Sequence, residues 1–139
     1  GVWRPQHHGA LIPAMADAAH LRRGKDAEDS ALHWLQRRGL RCLDRNVRCR
    51  FGEIDLVMQD RGTVVFVEVR FRRAGNKLCA AASIDAHKQR KLALAASWYL
   101  ARQKLLQKAP VRFDVIAIDG RSTGHSALQW IKDAFRPGA

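Results

Sequence analysis

The sequence predicts an α/β protein in which helices cover both faces of a mixed β-sheet. A helical pattern over residues 24–38 precedes two strand patterns, and a longer helical pattern over residues 84–106 leads to a strand over residues 111–119. The strand of residues 63–72 is apolar on both faces, which is typical of a strand that helices cover from both sides. Elements in this order indicate a layered sandwich.

The length of the chain indicates one domain. It has 139 residues, of which 47% are hydrophobic, enough for one substantial core and too few for two ordinary domains. Pro5, Gly9 and Pro13 interrupt an N-terminal stretch without periodicity, so we expect a flexible extension over residues 1–20 and a single domain over residues 21–136. No apolar run approaches the ~18 residues of a membrane span, and no secretory signal is evident, which predicts a cytoplasmic protein with no membrane partner.

Positive charge dominates the composition. The 25 Lys and Arg residues against 13 Asp and Glu give a net charge of +12. Such an excess favours a polyanionic partner, and nucleic acid is the commonest polyanion in cells. A basic surface that only keeps the protein soluble is the alternative. The cysteines, three in number without CxxC spacing, argue against a disulfide framework and a zinc ribbon.

The first helix carries an acid on its apolar face. Ala31 and Leu35 lie on one stripe, and Gly39 stands where a left-handed C-terminal cap is expected. Glu28 precedes Ala31 by three residues and Leu35 by seven, so it belongs to the same inward stripe. A glutamate at the stripe edge that reaches solvent or pairs with an arginine is the alternative.

A hairpin carries two more acids among apolar residues. Residues 50–58 and 63–72 predict strands joined by a turn at residues 59–62. Folding about this turn puts Asp55 nearly opposite Glu68, on strands about 5 Å apart. Two carboxylates this close repel each other and lose hydration, which is costly unless a cation or a proton compensates.

The hairpin acids suit a hard divalent cation. Mg²⁺ prefers one or two carboxylates, with water and substrate phosphate completing its shell. Arg70 follows Glu68 by two residues and shares its face. A metal, two acids and a cation together would hydrolyse a phosphodiester, because the metal activates water and the cation holds the phosphate. A structural network in which Asp55 and Glu68 each pair with an arginine is the alternative, and Glu53 shares the face of Asp55.

The following helix is expected to begin after a Ser83 cap and to bury Leu92. Lys88 precedes Leu92 by four residues and therefore starts on the buried side. The basic segment of residues 70–77 is expected to form a loop, and residues 128–131 a short strand. The residues expected to contact nucleic acid are Arg48, Arg50, Arg72, Arg73, Lys77 and Lys88.

The motifs of the chain resemble the YraN-like family (uncharacterised protein family 0102). GEIDLV and then VFVEVR follow GKDAEDSALHWLQRRGLRCLDRNVR and precede HKQRKLALAASWYL and VRFDVIAID, so the resemblance covers about residues 22–136. That family is similar to archaeal Holliday junction resolvases and to the restriction-endonuclease-like PD-(D/E)xK nucleases. The resemblance implies a restriction-endonuclease-like α/β/α sandwich with a mixed central β-sheet. It also implies an active site of a helix Glu, a hairpin Asp and a Glu-x-Lys motif, which Glu28, Asp55 and Glu68 match.

One position departs from that motif. Arg70 stands where the lysine is expected, and arginine stays charged whereas lysine can lose a proton. Arg70 would still stabilise charge on a phosphate, but it would not act as a base. Lys88 would be the source of an amine, although a lysine that extends to solvent at the sheet edge is the simpler alternative.

The sequence therefore predicts an endonuclease that uses Mg²⁺ or Mn²⁺ and acts on DNA rather than RNA. Asp55, Glu68 and the main-chain carbonyl of Val69 would bind the metal. Glu28 would orient the attacking water, and Arg70 would hold the scissile phosphate. The likeness to resolvases favours branched DNA and a homodimer. The alternatives are a nucleic-acid-binding module without catalysis and a basic protein of a nucleoprotein particle.

Overall fold

Two helices and five strands make up the part of the chain described by the computed structural model, residues 15–73, 84–120 and 127–137. No helix in these ranges has the length and apolar character needed to cross a membrane. The elements in chain order are α1 (Met15–Arg37), β1 (Arg41–Cys49), β2 (Gly52–Asp60), β3 (Thr63–Arg73), α2 (Ala86–Arg102), β4 (Val111–Gly120) and β5 (Ala127–Ile131).

The strands form one mixed sheet in the order β1-β2-β3-β4-β5. The first three pair antiparallel as a meander, β3 and β4 pair parallel, and β5 returns antiparallel to β4. Parallel neighbours require a crossover connection, and α2 lies in the connection between β3 and β4. The predicted α/β sandwich with a mixed central sheet is confirmed.

Each face of the sheet packs against one helix. Val65 and Val67 of β3 join the core under α1, while Val64 and Phe66 join the core under α2. The two-sided apolar pattern predicted for this strand is therefore confirmed. Burying each such side chain contributes about 1.5–3 kcal/mol. The predicted helix stripes are also buried, namely Ala31 and Leu35 in α1 and Leu92, Ala95, Ala96 and Tyr99 in α2.

The helix ends follow capping rules. Gly39 has a φ of 94°, and the N–H of Leu40 donates to the carbonyl of Leu35 at 3.1 Å. This is a left-handed cap of the Schellman type, as predicted. At the start of α2, the cap is Asp85, whose carboxylate accepts the N–H of Lys88 at 2.8 Å. The predicted Ser83 cap lies outside the described residues.

The structure corrects several predicted boundaries. α1 begins at Met15 rather than residue 24, and α2 begins at Ala86 and ends at Arg102 rather than spanning residues 84–106. Residues 70–73 continue β3 and do not form a loop, because β4 pairs with them through Arg73. Residues 74–77 lie outside the described part of the chain.

β1 was missed from the sequence. It pairs with β2 along the edge of the sheet, and Val47 is its only buried residue within the described chain. Charged residues are common on edge strands because they discourage pairing with other chains. Such a strand lacks the apolar alternation on which sequence recognition depends. Cys42 and Cys49 of this strand are free thiols.

A buried aspartate holds the far end of the sheet together. Asp114 of β4 is fully buried. Its carboxylate accepts hydrogen bonds from Arg112 Nε at 2.9 Å, Trp130 Nε1 at 2.9 Å and the N–H of Asp133 at 2.9 Å. Arg112 also pairs with Asp60 at 3.1 Å. Asp114 thus connects β4 with β5 and, through Arg112, with the hairpin.

We expect Asp114→Asn to destabilise the fold by about 3 kcal/mol or more, because it removes the charge that pairs with Arg112 in a dry site. Urea unfolding measures this loss. Asp26→Asn, an exposed change on α1, is the control and should alter the free energy of unfolding by less than about 0.5 kcal/mol. Equal effects of the two changes would contradict the structural role of Asp114.

Candidate active site

β2 and β3 separate at the position of Asp55. Their register runs from Asp60 opposite Thr63 to Leu56 opposite Val67 and stops there. Beyond this point Asp55 Oδ2 accepts the N–H of Val69 at 2.8 Å. A side chain has therefore taken the acceptor position that the β2 backbone would have filled, and the carboxylate is fixed between the two strands.

The same geometry orients the carbonyl of Val69. In an antiparallel ladder the N–H and C=O of one residue point toward the same neighbouring strand. The N–H of Val69 points toward Asp55, so its carbonyl points toward the same side, where the β2 ladder has ended. The oxygen predicted as a metal ligand thus faces the carboxylate predicted beside it.

Two cations flank Glu68. This glutamate precedes Val69 in β3, and its side chain is only 9% exposed. Glu68 Oε1 lies 3.6 Å from Arg70 Nε and 3.8 Å from Lys88 Nζ of α2. The Lys88 side chain is 37% exposed, which agrees with the alternative of a lysine that extends toward solvent, although its Nζ lies near Glu68. Both separations are longer than a hydrogen bond, so neither cation satisfies the carboxylate by direct donation.

Glu28 reaches the site from α1, on the other face of the sheet. It is partly buried and lines a cleft of about 690 Å³. Glu68 is not part of this lining, so Asp55 lies between the Glu28 side and the Glu68 side. The residues that line the cleft are Gly24, Lys25, Glu28, Arg45, Asn46, Arg48, Glu53 and Asp55.

The acids carry raised pKa values because they lose hydration. Burial raises the pKa of Asp55, and the Val69 N–H, Lys88 and Arg70 only partly oppose it. Burial and then the charge of Asp55 raise the pKa of Glu68. Burial, Asp55 and Glu53 raise the pKa of Glu28 to about 7. The donors and cations of the described residues thus offset only part of the effect of burial on these pKa values, and such shifts are common at functional sites.

The donor set fits a hard divalent cation only in part. Among the described residues, no three His, Cys, Asp or Glu side chains converge closely enough to hold a metal ion. Asp55, Glu68 and the Val69 carbonyl would supply three oxygen ligands. Water and substrate would supply the remaining ligands of the cation. Mg²⁺ commonly binds through one or two carboxylates in this way.

Comparison with known proteins identifies the family. The model of "Uncharacterised protein family UPF0102" matches residues 27–118, a segment that contains Glu28, Asp55, Glu68 and Arg70. The chain belongs to the UPF0102 family. This confirms the resemblance predicted from its motifs.

Relatives in the family match nearly end to end. A UPF0102 protein of Nitrosococcus oceani is 48% identical over 122 residues, which cover 88% of this chain and 98% of the relative. A UPF0102 protein of Pseudomonas putida is 49% identical over 121 residues, which cover 87% of this chain and 98% of the relative. Membership in UPF0102 assigns no reaction, so the chemistry rests on the site.

The other predicted residues of this UPF0102 member occupy varied positions. Arg48 pairs with Glu53 at 3.2 Å, so the acid that shares the face of Asp55 lies beside an arginine. The Arg50 guanidinium lies 4.7 Å from the centre of the Phe51 ring. Arg72 and Arg73 belong to β3, but their side chains lie outside the described part of the structure, as does all of Lys77.

Sequence reasoning missed three polar residues of the cleft, in addition to Gly24. Arg45 and Asn46 belong to β1, so they were not located once that strand had been missed. Lys25 precedes Glu28 by three residues, and this helical spacing is the signal that would have found it.

We expect Glu28→Gln to raise the melting temperature near pH 8 and to change it little near pH 4. The pKa of Glu28 is raised from 4.5 to about 7 in the fold. A group whose pKa is higher in the folded state stabilises the fold at pH values below its unfolded-state pKa. This stabilisation is lost as the pH rises through the folded-state pKa. Glutamine stays neutral throughout, so it escapes the loss.

Thermal unfolding of both proteins at the two pH values measures this difference. Asp26→Asn, an exposed acid on the same helix, serves as the control and should shift the melting temperature little at either pH. A Glu28→Gln effect of the same size at both pH values would contradict the assigned environment of Glu28.

Proposed function

We propose that this UPF0102 member is a divalent-metal-dependent endonuclease that hydrolyses phosphodiester bonds in DNA. The observation that carries the proposal is the carboxylate pair Asp55 and Glu68, placed where β2 and β3 separate. Their pKa values are raised because nearby donors and cations do not offset burial. Retaining such a pair is costly unless a ligand compensates the charge.

Asp55, Glu68 and the Val69 carbonyl would hold Mg²⁺ or Mn²⁺. Hard cations take oxygen ligands and readily share their remaining positions with water and substrate phosphate. When bound, the cation would supply positive charge beside the phosphate and favour ionisation of water. The Val69 N–H, by fixing Asp55 Oδ2, holds one carboxylate in place before the ligand arrives.

Glu28 would orient the attacking water. It lines the cleft beside Asp55 and comes from a different element, so it approaches from the α1 side. A carboxylate that accepts a hydrogen bond from water fixes the direction of the oxygen lone pair, which brings the nucleophile into line with the phosphorus.

Arg70 and Lys88 would hold the scissile phosphate. Arg70 Nε is buried and has no hydrogen-bond partner among the described residues. A buried donor without an acceptor requires an explanation, and a phosphate oxygen would satisfy it. Lys88 Nζ of α2 lies 3.8 Å from the same Glu68 carboxylate oxygen that Arg70 approaches. It supplies a second positive charge to the site. The site therefore retains a lysine ammonium even though the motif position carries arginine.

The charge of the whole chain favours a nucleic acid substrate. A net charge of +12 supports binding to a polyphosphate through its backbone. The likeness to Holliday junction resolvases supports branched DNA as the substrate class, and cleavage of both strands at a junction would require two sites, hence a homodimer.

A nucleic-acid-binding module without catalysis is the second candidate. Arg70 favours it, since an arginine cannot lose a proton to assist the attack of water. The raised pKa values of the three acids count against it, because acids at a surface that only binds nucleic acid would not assist the binding of a polyanion.

The cleavage test uses a labelled four-way junction, matched duplex and single strands with Mn²⁺. We expect cleavage by the parent protein and none by Glu68→Gln. Arg70→Ala should lower the rate on the order of 10²-fold, as loss of one preorganised charge-stabilising donor does. Arg70→Lys should change it only a few-fold, since it preserves the charge. Asp26→Asn is the control.

The outcomes separate the alternatives. Cleavage undiminished in Arg70→Ala would refute its contact with the phosphate. Activity that persists in Glu68→Gln would indicate a contaminating nuclease. DNA binding by the parent without cleavage, on every substrate and over a range of Mn²⁺ concentrations, would favour the non-catalytic module.

A further inference from the structure

The α1 side of the cleft carries positive charge that the proposed chemistry does not use. Lys25 comes from α1, and Arg45 and Arg48 come from β1. Because β1 neighbours β2 in the sheet, these cations lie on the opposite side of Asp55 from Arg70 on β3. The acid site thus has positive charge on two flanks.

Arg45 is incompletely satisfied by its surroundings. It belongs to an ion pair in which its Nη2 donates to Asp29 Oδ1 of α1. Its Nε is buried and has no hydrogen-bond partner within the described residues. An arginine that binds one carboxylate through a single nitrogen retains donors for a second anion.

A buried donor without a hydrogen-bond partner among the described residues is found on each side of Asp55. Within the described chain, the buried side-chain nitrogens and oxygens without a hydrogen-bond partner are Arg45 Nε and Arg70 Nε. The two guanidinium groups extend from β1 and β3, and Asp55 lies on the strand between them. A nucleic acid strand offers acceptors at regular intervals, so one strand that runs from Arg45 on β1 past Asp55 to Arg70 on β3 would satisfy both.

We infer that Arg45, with Lys25 and Arg48 beside it, forms a second phosphate subsite for the nucleic acid backbone. This inference rests on the proposed function, in which Arg70 holds the scissile phosphate. Arg45 then holds a neighbouring phosphate of the same strand. Such a strand has phosphates on both sides of the attacked bond, which fits cleavage within a strand rather than removal of a terminal nucleotide.

Acids in and beside the same cleft neutralise most of its positive charge. Glu53 pairs with Arg48 at 3.2 Å, and Asp29 pairs with Arg45, so positive charge in excess of these acids is small. Asp29 holds the Arg45 guanidinium at one nitrogen, which restricts the directions that its remaining donors can take. Direction, rather than bulk charge, would give this arginine its effect on binding.

A purely structural role for Arg45 predicts a different result. If the pair with Asp29 only joins β1 to α1, removing either partner should lower stability alike and leave DNA affinity unchanged. If Arg45 binds phosphate, Arg45→Gln should weaken DNA binding, whereas Asp29→Asn should leave affinity equal or higher because it removes a competing acceptor.

The test measures affinity for a short fluorescein-labelled duplex by fluorescence anisotropy over a series of salt concentrations. Each chain also carries Glu68→Gln so that DNA is not consumed. Arg45→Gln should weaken affinity on the order of tenfold, and it should reduce the slope of log affinity against log salt by about 0.9, the loss of one phosphate contact.

Arg136→Gln is the matched control. Arg136 donates from Nη2 to Asp133 at 2.7 Å, so this change also removes an arginine from an arginine–aspartate pair. Asp133 belongs to the Asp114 network at the other end of β4. We expect the control to change neither the affinity nor the salt slope.

Each outcome decides between the claims. Equal affinities and slopes for Arg45→Gln and Arg136→Gln would overturn the subsite and leave the endonuclease proposal intact. The subsite would also be overturned if Asp29→Asn weakened DNA binding as much as Arg45→Gln and lowered the melting temperature by the same amount. A reduced slope in Arg45→Gln, in a protein whose parent cleaves nothing, would support the subsite and refute catalysis. No DNA binding by the parent would overturn both.

Discussion

The hydrogen bond from the Val69 N–H to the Asp55 carboxylate is the interaction on which the candidate site depends. It stands where the ladder between β2 and β3 ends, so it both satisfies a backbone donor and fixes an acid between two strands. β3 meanwhile continues to pair with β4 as far as Arg73, which gives the separated end a rigid support. The sheet remains whole on one side while β2 separates from β3 on the other.

The described part of the chain contains two kinds of acid that burial has at least partly removed from water. Asp114 is fully buried and surrounded by donors from Arg112, Trp130 and the backbone, so its charge is compensated within the fold. Among the described residues, the half-buried Asp55 accepts one hydrogen bond, and the buried Glu68 has two cations beyond hydrogen-bond distance. Burial of an acid is therefore no sign of function on its own. The shortfall in compensation is the distinguishing feature, and it points to a ligand of opposite charge.

The sequence was sufficient where a periodic pattern and a local signal coincided. The hairpin of β2 and β3 follows from period-two apolar residues about a turn, and this pattern alone predicts the register that puts Asp55 opposite Glu68. The Gly39 cap and the α2 stripe follow from equally local rules. Helical spacing predicted that Lys88 starts on the buried side of α2, whereas the half-exposed side chain and its distance of 3.8 Å from Glu68 depend on the packing of α2 on the sheet.

The sequence was insufficient where position depends on a partner. β1 is an edge strand whose polar residues match no alternation, so only its pairing with β2 reveals it. Arg45 and Asn46, which line the cleft, were missed with it. β3 extends through residues once expected to form a loop, because pairing with β4 overrides their polar composition. Compensation of charge is likewise a tertiary property. The sequence showed three inward acids but not which donors reach them.

Calorimetric titration with Mn²⁺ tests the central claim, that the acid pair holds a divalent cation, most directly. The parent protein should bind, and a hundredfold excess over Kd should stabilise the fold by about 2.7 kcal/mol. Asp55→Asn should lose the binding and the stabilisation while remaining folded, because an asparagine oxygen can still accept the Val69 N–H. Mn²⁺ binding of equal strength in both proteins, or none in the parent at any practical concentration, would contradict the account.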